Sequence, residues 1–314
     1  MYINATGFYI PSERVPNSYF ESINGLSDEW ITKRTGIKTR SKAAAGEDQI
    51  SMGIEAVENA LNSLPYDINE VDLIVAAAYS PVDTVATLAH EAQRKFGITD
   101  AKAVAVTSAC SSLINGMEVV EGYFAMGKAS KALLISSEHN TYYANESDPK
   151  CGHLWGDGAV AFFISKEQAN ENEPRISHIY TRALGHIGKG PEGVKLRPRE
   201  SGITMPDGRD VFLHACKYMI EALDKTTAPL NRTPSELDYI ICHQANARIV
   251  AQVARQLGLS DDHFINNIAE LGNTGSASAG IVFAQNRDKF KKGENVGLTV
   301  FGGGYSCGAC VIEI

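Results

Sequence analysis

The chain lacks any dense block of lysine and arginine: 29 basic residues are scattered against 37 acidic ones, for a formal net charge of −8. Such a distribution offers no footprint for nucleic acid and fits a soluble protein that handles small molecules. Long apolar runs are missing too. No stretch reaches the eighteen or so apolar residues a membrane span needs, and the opening MYINATGFYIPSER has no basic segment leading into an apolar one. The expected location is therefore the cytoplasm, away from membranes. Cysteine is scarce, with six in 314 residues (Cys110, Cys151, Cys216, Cys242, Cys307 and Cys310), mostly in apolar surroundings. That is not the pattern of a disulfide framework. Cys307 and Cys310 have CxxC spacing but no second pair and no following helix, so they read as buried thiols of a terminal strand rather than as a zinc or redox centre.

What is present is an alternation of short β-branched runs with longer helical patterns, the signature of α/β layers. Strands are expected at 72–78, 102–106, 131–137, 159–165, 238–242, 264–268, 295–301 and 307–314. Several are apolar on both faces, as a sheet covered on each side by helices requires. NEVDLIVAAA at 69–78 is echoed by SELDYIICHQ at 235–244, and each half then continues strand, helix, strand. The chain therefore reads as a duplicated unit, with halves 1–170 and 171–314 joined through the polar segment 166–174. The Gly- and Pro-containing stretch 185–208 reads as a long surface loop, a lid or a tunnel edge.

Three segments carry chemistry. In AVTSACSS, Cys110 stands between a strand-like run and a helix whose apolar residues Leu113, Met117, Val120 and Phe124 recur at helical spacing. A cysteine in the first turn of a helix meets unpaired N–H groups and the positive end of the helix dipole, which favour a thiolate. Taken alone, Cys110 reads more readily as a buried structural thiol than as a nucleophile. In DYIICHQAN, His243 follows an apolar strand and precedes a helix striped by Val250, Val253, Ala254 and Leu257, at the strand end where α/β proteins place their chemistry. In GNTGSAS, Asn273 lies in a glycine-flanked turn; it either makes that turn or offers an amide N–H to a developing enolate.

TSACSS, HQANARI, LGNTGSAS and FGGGYSCG, together with SDEWITKRTGIKTR at 27–40, WGDGAVAFFIS at 155–165 and ITMPDGRDVF at 203–212, occur in an order and spacing that span nearly the whole chain. In these segments the chain resembles β-ketoacyl-acyl-carrier-protein synthase III, of the thiolase-like condensing enzymes. The resemblance implies a duplicated, five-layered αβαβα fold and a homodimer. It implies that Cys110 takes an acyl group from acyl-CoA, and that His243 and Asn273 stabilise the enolate formed as a malonyl-acyl-carrier protein loses carbon dioxide. The backbone N–H groups of Cys110 and Gly303 would form the oxyanion hole. Trp30, Arg34, Lys150 and Arg248 would bind CoA or the carrier, with Arg248 and Arg255 two helical turns apart on one exposed face. The implied chemistry needs no metal and no redox cofactor.

The chain departs from the family at three points. SACSS replaces a more usual AACAG, Val85 stands where bulkier aromatics commonly reach across the dimer into the partner's acyl tunnel, and Lys150 stands near where an arginine often helps to bind CoA. These departures predict a differently shaped acyl pocket and a specialised-pathway relative. Rival readings are an acyltransferase of the same fold acting on an alcohol or amine, a cysteine hydrolase with the same residue types, and a non-catalytic subunit of a heterodimer. The retained His243 and Asn273 weigh against acyl transfer, and the intact Cys110, His243 and Asn273 against a non-catalytic subunit; the hydrolase fits their order but lacks a papain-like signature around Cys110 and does not suit the α/β duplication.

Overall fold

The computed structural model describes all 314 residues. Nine strands form one mixed sheet: β1 (Tyr2–Tyr9), β2 (Leu73–Ala77), β3 (Lys102–Val106), β4 (Lys131–Glu138), β5 (Gly158–Ser165), β6 (Arg175–Ala183), β7 (Tyr239–Cys242), β8 (Asn295–Gly302) and β9 (Ser306–Glu313). Their order is β7-β8-β9-β6-β1-β5-β4-β2-β3. Read outward from the middle, the two halves repeat one pattern. β1 pairs antiparallel with β5, β5 antiparallel with β4, and β4 parallel with β2. β6 pairs antiparallel with β9, β9 antiparallel with β8, and β8 parallel with β7. Within the sheet the halves meet through a single residue pairing, Tyr2 with Arg175.

The echo at 69–78 and 235–244 falls on β2 and β7, which occupy equivalent places. Each is preceded by a short 3-10 turn closed by a capping box, Asp67 with Glu70 and Thr233 with Glu236. Each opens on an aspartate that accepts backbone N–H groups from the neighbouring strand, Asp72 from Lys131 and Asp238 from Asn295. Residues 166–174 run from the end of β5 to the start of β6.

Seven helices matter for the site: α1 (Asp28–Thr35), α2 (Gln49–Leu61), α3 (Leu88–Phe96), α4 (Ser112–Ala125), α5 (Gly208–Thr227), α6 (Ala247–Leu257) and α7 (Ser278–Asn286). α4 and α7 lie between the two halves of the sheet. There Leu113, Met117, Val120 and Phe124 of α4 join Ile281, Val282 and Phe283 of α7 in the largest apolar cluster, to which both half-sheets contribute. α2 and α3 cover the outer face of the first half, and α5 and α6 that of the second. The layers are thus α, β, α, β, α, the expected five.

The structure corrects three expectations. Residues 264–268 form no strand: Phe264 makes one isolated bridge to Ile240, and a short helix starts at Ile268. β1 and β6, the strands that join the halves, have no counterpart in the predicted set. Their sequences, YINATGFY and RISHIYTRA, mix polar with apolar residues and include partly exposed positions, so neither periodicity nor a continuous apolar run marks them. The stretch 185–208 is not a plain loop but carries a small hairpin, Lys195–Arg197 with Gly202–Thr204. Cys307 and Cys310 lie three apart on β9, hence on opposite faces, one in the outer cluster and one in the central cluster. No helix is long and apolar enough to cross a membrane.

Candidate functional site

Cys110 sits in the turn from β3 into α4. Ser111 is the N-cap, so the cysteine precedes the helix rather than lying in its first turn. The turn is held by Ser108, whose carbonyl accepts from the N–H and hydroxyl of Ser111, and by Ala109, which takes a left-handed backbone conformation at φ 49°. A non-glycine residue there stores local strain, a known accompaniment of functional turns. Gly302 approaches from β8: a methyl group on it would stand 2.7 Å from the Cys110 nitrogen, so only glycine allows the β8 end to lie against Cys110. Neither the N–H of Cys110 nor that of Gly303 donates to any protein acceptor.

Cys110 and Gly303 line one cavity of about 520 Å³, with Trp155, Val194, Leu196, Ile203 and Tyr305 among its walls. The segment expected to be a lid or tunnel edge thus forms one wall. Burial, with the nearby Glu138 carboxylate, pushes the Cys110 thiol up to about 12. The expected depression by the helix dipole is outweighed, because the cysteine is almost completely removed from water (8% exposed).

His243 follows β7 and is 2% exposed. Burial holds its ring down to about 4, so it is neutral at pH 7. Its tautomer follows from its neighbours. The Gln244 N–H donates to the Ser278 hydroxyl oxygen at 3.3 Å, and that hydroxyl lies 2.7 Å from His243 Nδ1, the one acceptor near its hydrogen. Nδ1 therefore accepts, and the ring proton is on Nε2. Gln244 is itself fixed, accepting from the N–H groups of Asn267 and Ile268. Asn273 joins the two halves: its N–H donates to Leu154 and its carbonyl accepts from Gly156. Its side-chain oxygen accepts from the Gly275 N–H at 3.0 Å, which leaves the Nδ2 hydrogens free to donate.

Glu138, Tyr79 and Ser278 are absent from the residues singled out in the sequence. Glu138 is fully buried at the end of β4. It accepts from the N–H groups of Tyr79 and Ser80 at 3.1 and 2.9 Å, and from the hydroxyls of Ser80 and Ser276. Burial raises it to about 7 against those hydrogen bonds. Tyr79 donates to Asn140 at 2.8 Å and is close enough to hydrogen-bond to the Cys110 thiol. Both Glu138 and Tyr79 lie at the carboxyl ends of strands, a positional rule that would have found them. Ser278 was inside the quoted GNTGSAS, with no signal to separate it from the other serines.

Trp30, Arg34, Lys150 and Arg248 come together. They line a second cavity, of about 370 Å³, with Arg209 and Phe212, and the Arg34 guanidinium lies over the Trp30 ring at 4.6 Å. Arg248 and Arg255 are both exposed on α6. Val85 is 84% exposed on the loop after β2 and lines neither the Cys110 cavity nor the Trp30 cavity.

Two family models match, described as 3-oxoacyl-[acyl-carrier-protein (ACP)] synthase III over residues 105–185 and its C-terminal part over residues 228–314. The β-ketoacyl-[acyl-carrier-protein] synthase III of Neisseria gonorrhoeae (strain FA 1090) is 34% identical, covering 99% of this chain and 98% of the relative; that of Acholeplasma laidlawii is 32% identical with the same coverage. The crystal structure of 3-oxoacyl-[acyl-carrier-protein] synthase III from Aquifex aeolicus superposes with a TM-score of 0.92 at 30% identity, covering 100% of this chain and 99% of that one.

Proposed function

The chain belongs to the 3-oxoacyl-[acyl-carrier-protein] synthase III family, and from that premise we propose that it joins an acyl group from acyl-CoA to a malonyl unit on acyl carrier protein. The Cys110 sulfur attacks the acyl-CoA thioester; the acyl–sulfur bond to CoA breaks, and the thiol proton leaves with CoA. This splits one hard condensation into two easier steps. Malonyl-carrier protein then loses carbon dioxide, and the resulting enolate oxygen is held by His243 Nε2–H and Asn273 Nδ2–H. Its carbon attacks the acyl-cysteine carbonyl. The oxyanion rests on the N–H groups of Cys110 and Gly303, and collapse releases the β-ketoacyl thioester and the Cys110 thiolate, which takes up a proton.

The observation that carries this reading is the Gln244, Ser278, His243 relay. A ring held neutral with its proton on Nε2 is a donor to an enolate and a poor base for a thiol, which separates a condensing site from a cysteine hydrolase. Trp30, Arg34, Lys150 and Arg248 supply a stacking surface and cations for the CoA nucleotide, and Arg248 with Arg255 an exposed basic face for an acidic carrier protein.

A homodimer is part of the proposal. β3 is an edge strand with one side unpaired, its apolar residues partly exposed. Val82 and Val85 stand out from the adjoining loop, and an apolar open edge of this kind calls for a second strand.

The test is intact-protein mass spectrometry after mixing with acyl-CoAs, repeated with Cys110→Ala and then with malonyl-carrier protein. The expected result is an acyl mass on the native chain alone, discharged by malonyl-carrier protein as β-ketoacyl product. An acyl mass that malonyl-carrier protein cannot discharge would move the reading to acyl transfer onto another acceptor.

A further inference from the structure

β8 ends on Gly302, the first of three consecutive glycines, and the second, Gly303, carries one of the two N–H groups assigned above to the oxyanion. Such a run has no side chain with which to fix itself, and its backbone is the most pliable a chain can place beside Cys110. An oxyanion donor is effective only when its direction is set before the charge develops. Whatever orients this loop has to come from the residues that flank it.

Two fastenings are present. On the Cys110 side, the Ser306 hydroxyl lies 2.6 Å from that of Ser111 and 3.1 Å from the Ser108 carbonyl oxygen. On the far side stands Tyr305, 2% exposed, with its ring against those of Phe301 and His214. Its carbonyl accepts from the Leu184 N–H at 2.7 Å, and its hydroxyl donates to a carboxylate oxygen of Asp210 at 2.8 Å. Asp210 is in the first turn of α5, and the same oxygen accepts the Lys189 N–H at 2.9 Å. His214 Nε2, one helical turn further on, stands 3.5 Å from the other oxygen. The Lys189 N–H, helped by the Tyr305 hydroxyl, holds the Asp210 carboxyl below the usual carboxylate range. Tyr305 therefore donates to a charged acceptor, the stronger kind of hydrogen bond.

The fit around that bond is close. A methyl group on Gly193 would stand 2.1 Å from the Tyr305 hydroxyl oxygen. Asp210 thus joins three parts of the site: the glycine loop through Tyr305, the wall segment 185–208 through Lys189, and α5, whose Arg209 and Phe212 line the Trp30 cavity.

We propose that Asp210 is a positioning residue for the acylation step: through the Tyr305 hydroxyl it fixes the loop that presents the Gly303 N–H to the oxyanion. This rests on the acylation of Cys110 and the role of Gly303 proposed above. Asp210 itself lines neither the Cys110 cavity nor the Trp30 cavity, so its effect passes along one phenol.

The experiment compares two reactions of the same thiol in the native chain, Tyr305→Phe, Asp210→Ala and the double variant, each read as a rate by intact mass. Acylation, by the fastest donor of a panel from acetyl- to dodecanoyl-CoA at saturating concentration, passes through a tetrahedral oxyanion. Alkylation by iodoacetamide displaces iodide and forms no oxyanion. Either single substitution is expected to slow acylation at least about threefold, the scale of one net hydrogen bond, with alkylation within about twofold of native. Tyr305→Phe should add nothing once Asp210→Ala is in place, because both cut the same bond. Equal slowing of the two reactions, slowing of neither, or additive losses in the double variant overturns the proposal. Tyr305→Phe keeps the ring and its packing, so a misfolded Asp210→Ala does not shield it. A native chain that no donor acylates is a separate result, which sinks the synthase reading and this proposal with it.

Discussion

His243 Nδ1 and the Ser278 hydroxyl lie 2.7 Å apart, and the Ser278 oxygen in turn receives the Gln244 N–H. The residue next to the histidine thus sets the histidine's own tautomer through a serine 35 positions away. Ser278→Ala leaves Nδ1 without its donor and lets the ring proton shift to that nitrogen. Acylation of Cys110 should persist, while discharge by malonyl-carrier protein falls roughly 10- to 100-fold, the scale of losing one oriented donor. Single-turnover measurement of the two steps separates them, and an equal loss in both would point to a merely structural serine.

Glu138 raises the Cys110 thiol through its negative charge, second to burial. Glu138→Gln removes the charge while keeping hydrogen-bonding capacity. The pH midpoint for alkylation of Cys110 by iodoacetamide should therefore move down. A midpoint that moves up would mean that the carboxylate acts on the thiol in some other way.

Acid should destabilise the protein partly through its buried histidines. Burial holds His153, like His243, down to about 4, with Arg40 contributing. The unfolded chain binds these protons near pH 6.5 and the folded chain near 4. Stability from each ring is therefore complete above pH 6.5 and is lost as pH falls through that window, by up to about 3 kcal/mol. Glu138, raised to about 7, works in the opposite sense, so the effect is best read as a difference. His153→Gln should lose less stability than the native chain between pH 7 and 4.5 in urea titrations; parallel losses would remove His153 from the account.

Arg34→Ala and Arg248→Ala should each raise KM for acyl-CoA about tenfold, the equivalent of one contact of about 1.4 kcal/mol, with kcat nearly unchanged. The penalty should shrink as salt is raised, because both guanidinium groups are solvent-accessible. Steady-state kinetics at low and high ionic strength would show it, and a fall in kcat at constant KM would place these residues elsewhere in the reaction.

Cys110 and His243 were legible as candidates because each stands where an apolar strand ends and a helix follows, whereas Asn273 was marked only by its glycine-flanked turn. The duplication was readable because β2 and β7 keep the same Asp-apolar opening. β1 and β6 escaped because long-range pairing makes them strands, and their own residues carry no period. The thiol's pKa was misjudged for a related reason. A helix end can be located from spacing, but burial and the Glu138 charge depend on which distant segments pack around the turn. Tyr79 and Ser278 were hidden by the same nonlocality, since a tyrosine or serine gains its meaning here from Asn140, Gln244 and His243.

Within the sheet, Tyr2 and Arg175 are the one residue pair that joins the halves, and elsewhere the main chain crosses at a few points such as Asn273 with Leu154 and Gly156. What ties them is the shared middle layer of α4 and α7, wedged between two sheets that each need it to stay dry. Neither half has a complete interior of its own. The protein should accordingly melt in one step, and Cys110 from the first half should lose its alignment with His243 and Asn273 only when everything else is lost.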